Sequence, residues 1–361
     1  IRTRHGLLLE ALGAAVLVGQ LMIIYWLGMK LFNEKNVLMD MTAPSLAVIV
    51  SYVGSSIYNY VSERRQRLMI KGMFSQYVNP SVVDELLENP DKLRLGGERK
   101  ELTVFFSDIE QFTTISEKLP PEGLVSALNE YLTVMTSLIF SNNGTLDKYQ
   151  GDAIMAFWGA PLPEADHAFL ACRTAVRMQE SIDGLTSLWT AEGKPVMRTR
   201  IGINTAEVIV GNLGGVNRFD YTVVGDGVNL GSRLEAANKE YRTRTIIGEE
   251  TYRKVAGRVI ARELDFLVAA GKTEPIRIYE LIGIAGESKE PPRLREFLGF
   301  YEEGLRLYRE RSWDGAIAQF RKALEVTPGD YPAAMYVSRS EAYREIPPPP
   351  GWRGEFVMLR K

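Results

Sequence analysis

Hydrophobic and polar positions follow three different patterns along this chain, and each predicts a different kind of element. Residues 7–29, LLLEALGAAVLVGQLMIIYWLGM, are almost continuously apolar, with Glu10 as the only ionisable residue. Residues 41–61, MTAPSLAVIVSYVGSSIYNYV, contain no charge. Each run is close to the ~20 residues a helix needs to cross a bilayer core. A short polar loop from Lys30 to Asp40 separates them, so residues 1–61 are expected to form two transmembrane helices in contact with membrane lipid. A buried soluble helix is the alternative, above all for the second run, which is rich in Ser and Tyr. Arg2 and Arg4 precede the first run, and Arg64, Arg65, Arg67 and Lys71 follow the second. Basic flanks stay on the cytoplasmic side, which makes the protein multi-pass with everything after residue 61 cytoplasmic.

Residues 62–100 read as a charged helical connector. Pro80 stands at a helix start, Val83, Leu86 and Leu87 form an apolar stripe, and Asn89-Pro90 stops it. Gly96-Gly97 then breaks the chain. Residues 101–284 change to period two. LTVFFSDIEQFT is a strand ending on Asp108, and a helix follows through Gly123 to Phe140. GTLDKYQGDAIMAFWGAP is two strands around a Gly151-Asp152 turn, and RIGINTAEVIVGNLG is a further two-strand pattern. RFDYTVVGDGVNLGSRLEAANK is strand, Gly225-Asp226-Gly227 turn and helix. Asn229 and Arg233 lie four apart on that helix and share one face. Residues 285–361 begin with the linker GESKEPPR. Gly304, Leu307, Ala316, Phe320, Ala323 and Pro328 then match a tetratricopeptide-like helical pair, and Pro347 to Pro350 give a Pro-rich tail. One such repeat cannot bury its own apolar face, so it is expected to dock on the rest of the protein or on a partner chain.

Composition narrows the chemistry. The 361 residues include 43 Lys+Arg and 45 Asp+Glu, a formal charge of −2, so nothing draws the whole chain toward nucleic acid. The mean hydropathy of −0.10 averages the apolar runs away against the charged remainder. One cysteine, Cys172, excludes an internal disulfide framework and a Cys-rich metal site. The two histidines, His5 and His167, are far apart in sequence. A metal would therefore be held by carboxylates, which suits Mg or Mn. If the first strand lies beside the hairpin, Asp108 and Asp152 meet at one sheet edge. Two carboxylates there repel unless cations neutralise them, and divalent metals would do so while clamping a polyphosphate. Two turn-forming aspartates are the alternative.

FFSDIEQFT, KYQGDAIMAFWGAP and YTVVGDGVNLGSRLEAA, in this order, resemble the catalytic domain of class III adenylyl cyclases. The resemblance implies an α+β fold, a ferredoxin-like βαββαβ core with an additional hairpin. It implies that Asp108, Asp152 and the Ile109 carbonyl hold two Mg or Mn ions. The turn into Phe112 and Thr113 cradles the triphosphate, with Arg218 and Lys272 as further phosphate contacts. Lys148 and Thr222 read the purine, Asn229 orients the ribose, and Arg233 stabilises the transition state. The family's basic stretch near Lys272 reads AAGK here, so one of its positive positions is Ala270.

The implied reaction converts ATP to 3′,5′-cyclic AMP and pyrophosphate. In the family two domains pair head to tail, so a homodimer with shared active sites is expected. The membrane segments, connector and tail resemble bacterial inner-membrane members with a CHASE-type sensor. An upstream sensor domain and a further span are thus expected before Ile1. Guanylate cyclase, or a catalytically silent nucleotide-binding receptor, remain the alternatives.

Overall fold

The computed structural model describes residues 4–74, 96–192, 194, 196–215, 218–268, 275–288, 290 and 292–357. The chain divides into two units, Ile1–Lys92 and Leu93–Lys361.

In the first unit α1 (Arg4–Lys35) and α2 (Thr42–Phe74) form an antiparallel helical hairpin. Asp40 caps α2 by accepting from Thr42 N–H at 2.9 Å, which satisfies one of the helix's orphan donors. Gly13 lies against Tyr52 and Gly28 against Met41, so small residues set the approach of the two helices. The outward surface stays apolar, with Met22, Ile23, Trp26, Val50 and Ile57 exposed. Among the described residues two helices have the length and apolar composition to cross a membrane, Leu12–Lys35 and Pro121–Ser141. α2 is not one of them, because Ser51, Tyr52, Ser55, Ser56, Tyr58, Asn59 and Tyr60 dilute its apolar half. The connector helix expected from Pro80 lies outside the described residues.

The second unit is built on one mixed sheet. Its elements are β1 (Gly96–Ile109), α3 (Phe112–Lys118), α4 (Pro121–Ser141), β2 (Thr145–Gln150), β3 (Ala153–Trp158), α5 (His167–Ala191), β4 (Thr199–Gly215) and β5 (Arg218–Val224). α6 (Asp226–Tyr241), β6 (Thr245–Gly248), α7 (Glu249–Val255), β7 (Val259–Val268) and β8 (Ile276–Ile284) follow. The tail is α8 (Leu294–Arg309), α9 (Trp313–Val326), α10 (Tyr331–Glu345) and β9 (Glu355–Val357). Strand order is β2-β3-β1-β4-β6-β8-β7-β9, with β5 paired to β4. The α+β architecture is the one expected.

Alternation along β1 sorts its side chains onto two faces. Phe105 and Ile109 join Tyr131, Met135 and Ile139 of α4 and Ala171, Cys172 and Met178 of α5 in one core. This burial explains why Pro121–Ser141 is apolar without being a membrane span: it covers the sheet. Leu102 and Val104 face the other way, into a core shared with Val208, Val210, Val223 and Val228. Asp108 has their parity, so it belongs to the face covered by α6.

The tail docks on the sheet of its own unit. Gly304 lets α8 approach Phe320 of α9 closely. A third helix, α10, was not anticipated; it has almost no one-sided apolar stripe to signal it. α10 closes the pair with Ala333 and Tyr336 and ties it to β7. Tyr336 Oη donates to Leu264 O at 2.8 Å, and Arg339 Nη1 reaches Asp265 Oδ2 at 2.6 Å. Tyr241 at the end of α6 donates to the same Asp265 oxygen at 2.8 Å. Arg262, 4% exposed, pairs with Glu280 and Asp330. Arg311 Nη2 donates to the carbonyls of Pro349 and Pro350 at 2.7 and 3.2 Å, which pins the Pro-rich segment.

α6 lies so close to β4 that only glycine fits at Gly202. A Cβ there would collide with Glu235 N and sit 2.5 Å from Gly231 O. Gly202→Ala is expected to destabilise the catalytic unit by about 1–3 kcal/mol, the usual cost of overpacking a core. Urea unfolding followed by circular dichroism measures it.

Candidate functional site

The site begins with register. β1 runs antiparallel between β3 and β4, and Asp108 lies directly opposite Arg200 of β4. Partners across an antiparallel pair share a face, so both side chains point toward α6. Arg200 Nη2 donates to Asp108 Oδ2 at 2.8 Å. Arg200 Nε lies 3.2 Å from Glu235 Oε1 of α6, an ion pair rather than an aligned hydrogen bond.

Asp152 arrives from the β2–β3 hairpin, whose Gly151 holds φ at +69°, a left-handed turn conformation that glycine adopts freely. Its Oδ2 accepts from Ile109 N–H at 3.2 Å. Asp108 and Asp152 thus meet at the end of the central strands. Burial first, and then the Asp108 charge, pushes the Asp152 carboxyl up to about 6. Burial pushes Glu235 up to about 7; Arg200 opposes the rise, and Asp108 and Asp152 add to it.

This cluster suits a hard divalent cation. Two oxygen donors are gathered at one edge, and the raised Asp152 marks negative charge that a cation would relieve. Among the described residues no third His, Cys, Asp or Glu side chain joins them as a ligand group.

Phe112 and Thr113 open α3 after Gln111, which takes φ +55°. Phe112 packs against the core, and Thr113 is exposed. Glu110 N–H donates to Arg198 O at 2.8 Å, tying this turn to the strand that carries Arg200.

A second cluster forms around β2 and β5. Lys148 Nζ lies 3.4 Å from Asp147 Oδ1 and 4.0 Å from Asp220 Oδ2. Thr222 Oγ1 donates to Asp147 Oδ2 at 2.5 Å. Lys148 and Thr222, 74 positions apart in sequence, are therefore joined through one carboxylate. Asn229 and Arg233 share a face of α6, the first exposed and the second half-buried. No described contact joins them to either cluster. Arg218 opens β5, and Lys272 lies outside the described residues.

Three residues here escaped the sequence reading: Arg200, Glu235 and Asp147. Arg200 and Glu235 depend on strand register and helix approach, which spacing does not reveal. Asp147 stands beside Lys148, and only its burial distinguishes it from an ordinary strand-start aspartate.

The family model described as "Adenylate and Guanylate cyclase catalytic domain" matches residues 97–274. The crystal structure of the adenylyl cyclase CyaB from P. aeruginosa is 36% identical, with a TM-score of 0.50, and the match covers 54% of this chain and 100% of that one. The chain belongs to the adenylate and guanylate cyclase catalytic domain family. Adenylate cyclase 1 of Rhizobium meliloti is 36% identical over 211 residues, 58% of this chain and 32% of that protein. The terminal-differentiation-specific adenylate cyclase of Dictyostelium discoideum is 34% identical over 246 residues, 66% of this chain and 11% of that protein. The chain thus spans a third or less of the length of these two curated relatives. The matched segment contains both clusters and α6, and excludes the helical hairpin and the tail.

The Asp152 environment generates a pH test. A carboxyl raised in the folded state favours folding while protonated. The contribution of Asp152 to the stability of the metal-free protein, read as the difference between wild type and Asp152→Asn, should therefore fall as pH rises from about 4 to about 6. A divalent cation needs the ionised form and should restore stability above that range. Mn should raise Tm more at pH 8 than at pH 5, and Asp152→Asn should abolish the shift. Differential scanning calorimetry reads both.

Proposed function

We propose that this protein is a membrane-anchored adenylate cyclase that converts ATP to 3′,5′-cyclic AMP and pyrophosphate. The observation that carries this reading is the Asp108–Asp152 pair, held at one sheet end within a cyclase family domain. The names of the relatives favour adenine, while the family description covers both purines.

Asp108, Asp152 and the Ile109 carbonyl would hold two Mg or Mn ions, which supply charge neutralisation for the triphosphate and acidify the ribose 3′-hydroxyl. The 3′-oxygen bonds to the α-phosphorus, the bond from that phosphorus to the β-bridging oxygen breaks, and pyrophosphate leaves. Solvent or the substrate phosphate takes the 3′-hydroxyl proton. With Glu110 N–H engaged by Arg198 O, the turn from Gln111 to Thr113 offers backbone N–H donors to the phosphates, supported by the left-handed Gln111. Arg218 and Lys272 add positive charge there. Arg200, beside Asp108, is a further cation at the phosphate end. Lys148 and Thr222 read the base, Asn229 orients the ribose, and Arg233 stabilises charge growing on the α-phosphoryl oxygens.

Two copies pair head to tail, with the aspartates from one and the base, ribose and Arg233 groups from the other. Any change in the relative rotation of the copies then gates activity. α1 and α2 are read as the anchor in the inner membrane, with the catalytic unit cytoplasmic. The exposed apolar surface of α1 and the basic flanks support that topology. An upstream sensor would act through the same segment.

Purified protein with Mg or Mn should make cyclic AMP from ATP faster than cyclic GMP from GTP. GTP turnover above ATP turnover would make it a guanylate cyclase. Nucleotide binding without product would make it a silent receptor. Arg233→Ala should lower kcat by about 100- to 1000-fold, the typical loss for one transition-state donor. Asp108→Ala should abolish turnover and leave the circular dichroism spectrum unchanged.

Mixing Asp152→Ala chains with Arg233→Ala chains should recover part of the activity, because one site of the mixed dimer keeps every group. Absence of recovery would rule out shared sites.

A further inference from the structure

Asp147 has no role in the mechanism above, yet it is the residue that joins Lys148 to Thr222. Its side chain is fully buried. The β2–β3 register shifts between Leu146 and Lys148, which marks a bulge at Asp147. Strict alternation would send neighbouring side chains to opposite faces, and a bulge lets both serve one. Asp147 and Lys148 both reach residues of β5, Thr222 and Asp220 respectively.

The hydrogen bond from Thr222 to Asp147 has a direction. An ionised carboxylate only accepts, and a threonine hydroxyl has one proton to give. With that proton committed to Asp147 Oδ2, Thr222 has only lone pairs left for a ligand. Adenine carries an amino donor at position 6, whereas guanine and hypoxanthine carry a carbonyl acceptor. We propose that Asp147 sets purine specificity by fixing the Thr222 hydroxyl as an acceptor, so that the site takes a 6-amino purine and rejects a 6-oxo purine. The inference rests on the reading of Thr222 as a base-contacting residue. It adds the group that decides which way an otherwise ambiguous hydroxyl points. Burial raises the Asp147 carboxyl above its ordinary value; the Thr222 hydrogen bond and the Lys148 ammonium at 3.4 Å favour the ionised form.

Asp147→Asn tests this with little change in shape. The new carboxamide nitrogen is repelled by the Lys148 ammonium, so its oxygen faces Lys148 and its N–H₂ faces Thr222. The threonine must then accept, and its proton is free for a 6-oxo base. The experiment measures kcat/KM of the full chain in detergent for ATP and for inosine triphosphate, which carries the 6-oxo group without the 2-amino group of guanine. Wild type should favour ATP. Asp147→Asn should lower the ATP-to-inosine-triphosphate ratio by roughly tenfold or more, the usual effect of leaving a buried polar group mismatched. A purely structural Asp147 would lower both substrates by the same factor, and that result overturns the proposal.

Thr222→Val should lower the ratio as well, and adding Asp147→Asn to it should change the ratio no further. An unchanged ratio in Thr222→Val overturns the proposal even where Asp147→Asn fails to fold. If wild type makes no cyclic product from ATP, the cyclase reading fails on its own. The same ratio is then taken from calorimetric binding of the two nucleotides, where equal affinity in wild type overturns the proposal.

Discussion

Asp108 and Asp152 are brought together by backbone against their own electrostatics. Antiparallel pairing of β1 with β3 sets the hairpin tip beside the end of the central strand, and Ile109 N–H holds Asp152 there. Two acidic groups in a half-buried place raise the cost of ionisation, which appears as the upward push on Asp152 and on Glu235 behind it. Arg200 answers that charge from the next strand. The neighbouring features serve this arrangement. Gly202 has no side chain because α6 must come close enough for Glu235 to meet Arg200. The α4–α5 face is the largest apolar core, so the opposite face is left to carry polar chemistry.

The cluster of Asp147, Lys148 and Thr222 is built by a different device. It needs two consecutive residues on one face, and the bulge in β2 provides them. It also needs β5, which pairs only with the far half of β4 and so projects beyond the main run of the sheet. Thr222 donates to one Asp147 oxygen, and the other lies 3.4 Å from the Lys148 ammonium without an aligned hydrogen bond. The Asp147 side chain is buried between Thr222 and the Lys148 ammonium.

The tail bears on the same machinery from behind. Asp265 on β7 accepts from Tyr241 at the end of α6 and from Arg339 of α10. Buried charge networks contribute little net stability, but removing one member is costly, so they favour a single seating of the parts they join. The helix carrying Asn229 and Arg233 is thereby tied to the C-terminal helices. The helical tail packs against Ile260 and Ile282 of the sheet.

The amino-acid sequence by itself determined the local elements and the motif residues. Period two ending on Asp108, Gly151-Asp152 as a turn, and the four-residue spacing of Asn229 and Arg233 are properties of neighbouring residues, and neighbouring residues carry them. The helices α8 and α9 were legible for the same reason, while α10 was not, because it has almost no one-sided apolar face to advertise it. Tertiary structure alone decided the rest. Arg200 became the partner of Asp108 through strand register, and Glu235 joined through a close approach at Gly202. Asp147 came to bridge Lys148 and Thr222 because a bulge and a distant strand converge. These contacts join positions from about 30 to over 90 residues apart. Their energies depend on burial and facing direction, which no local pattern encodes.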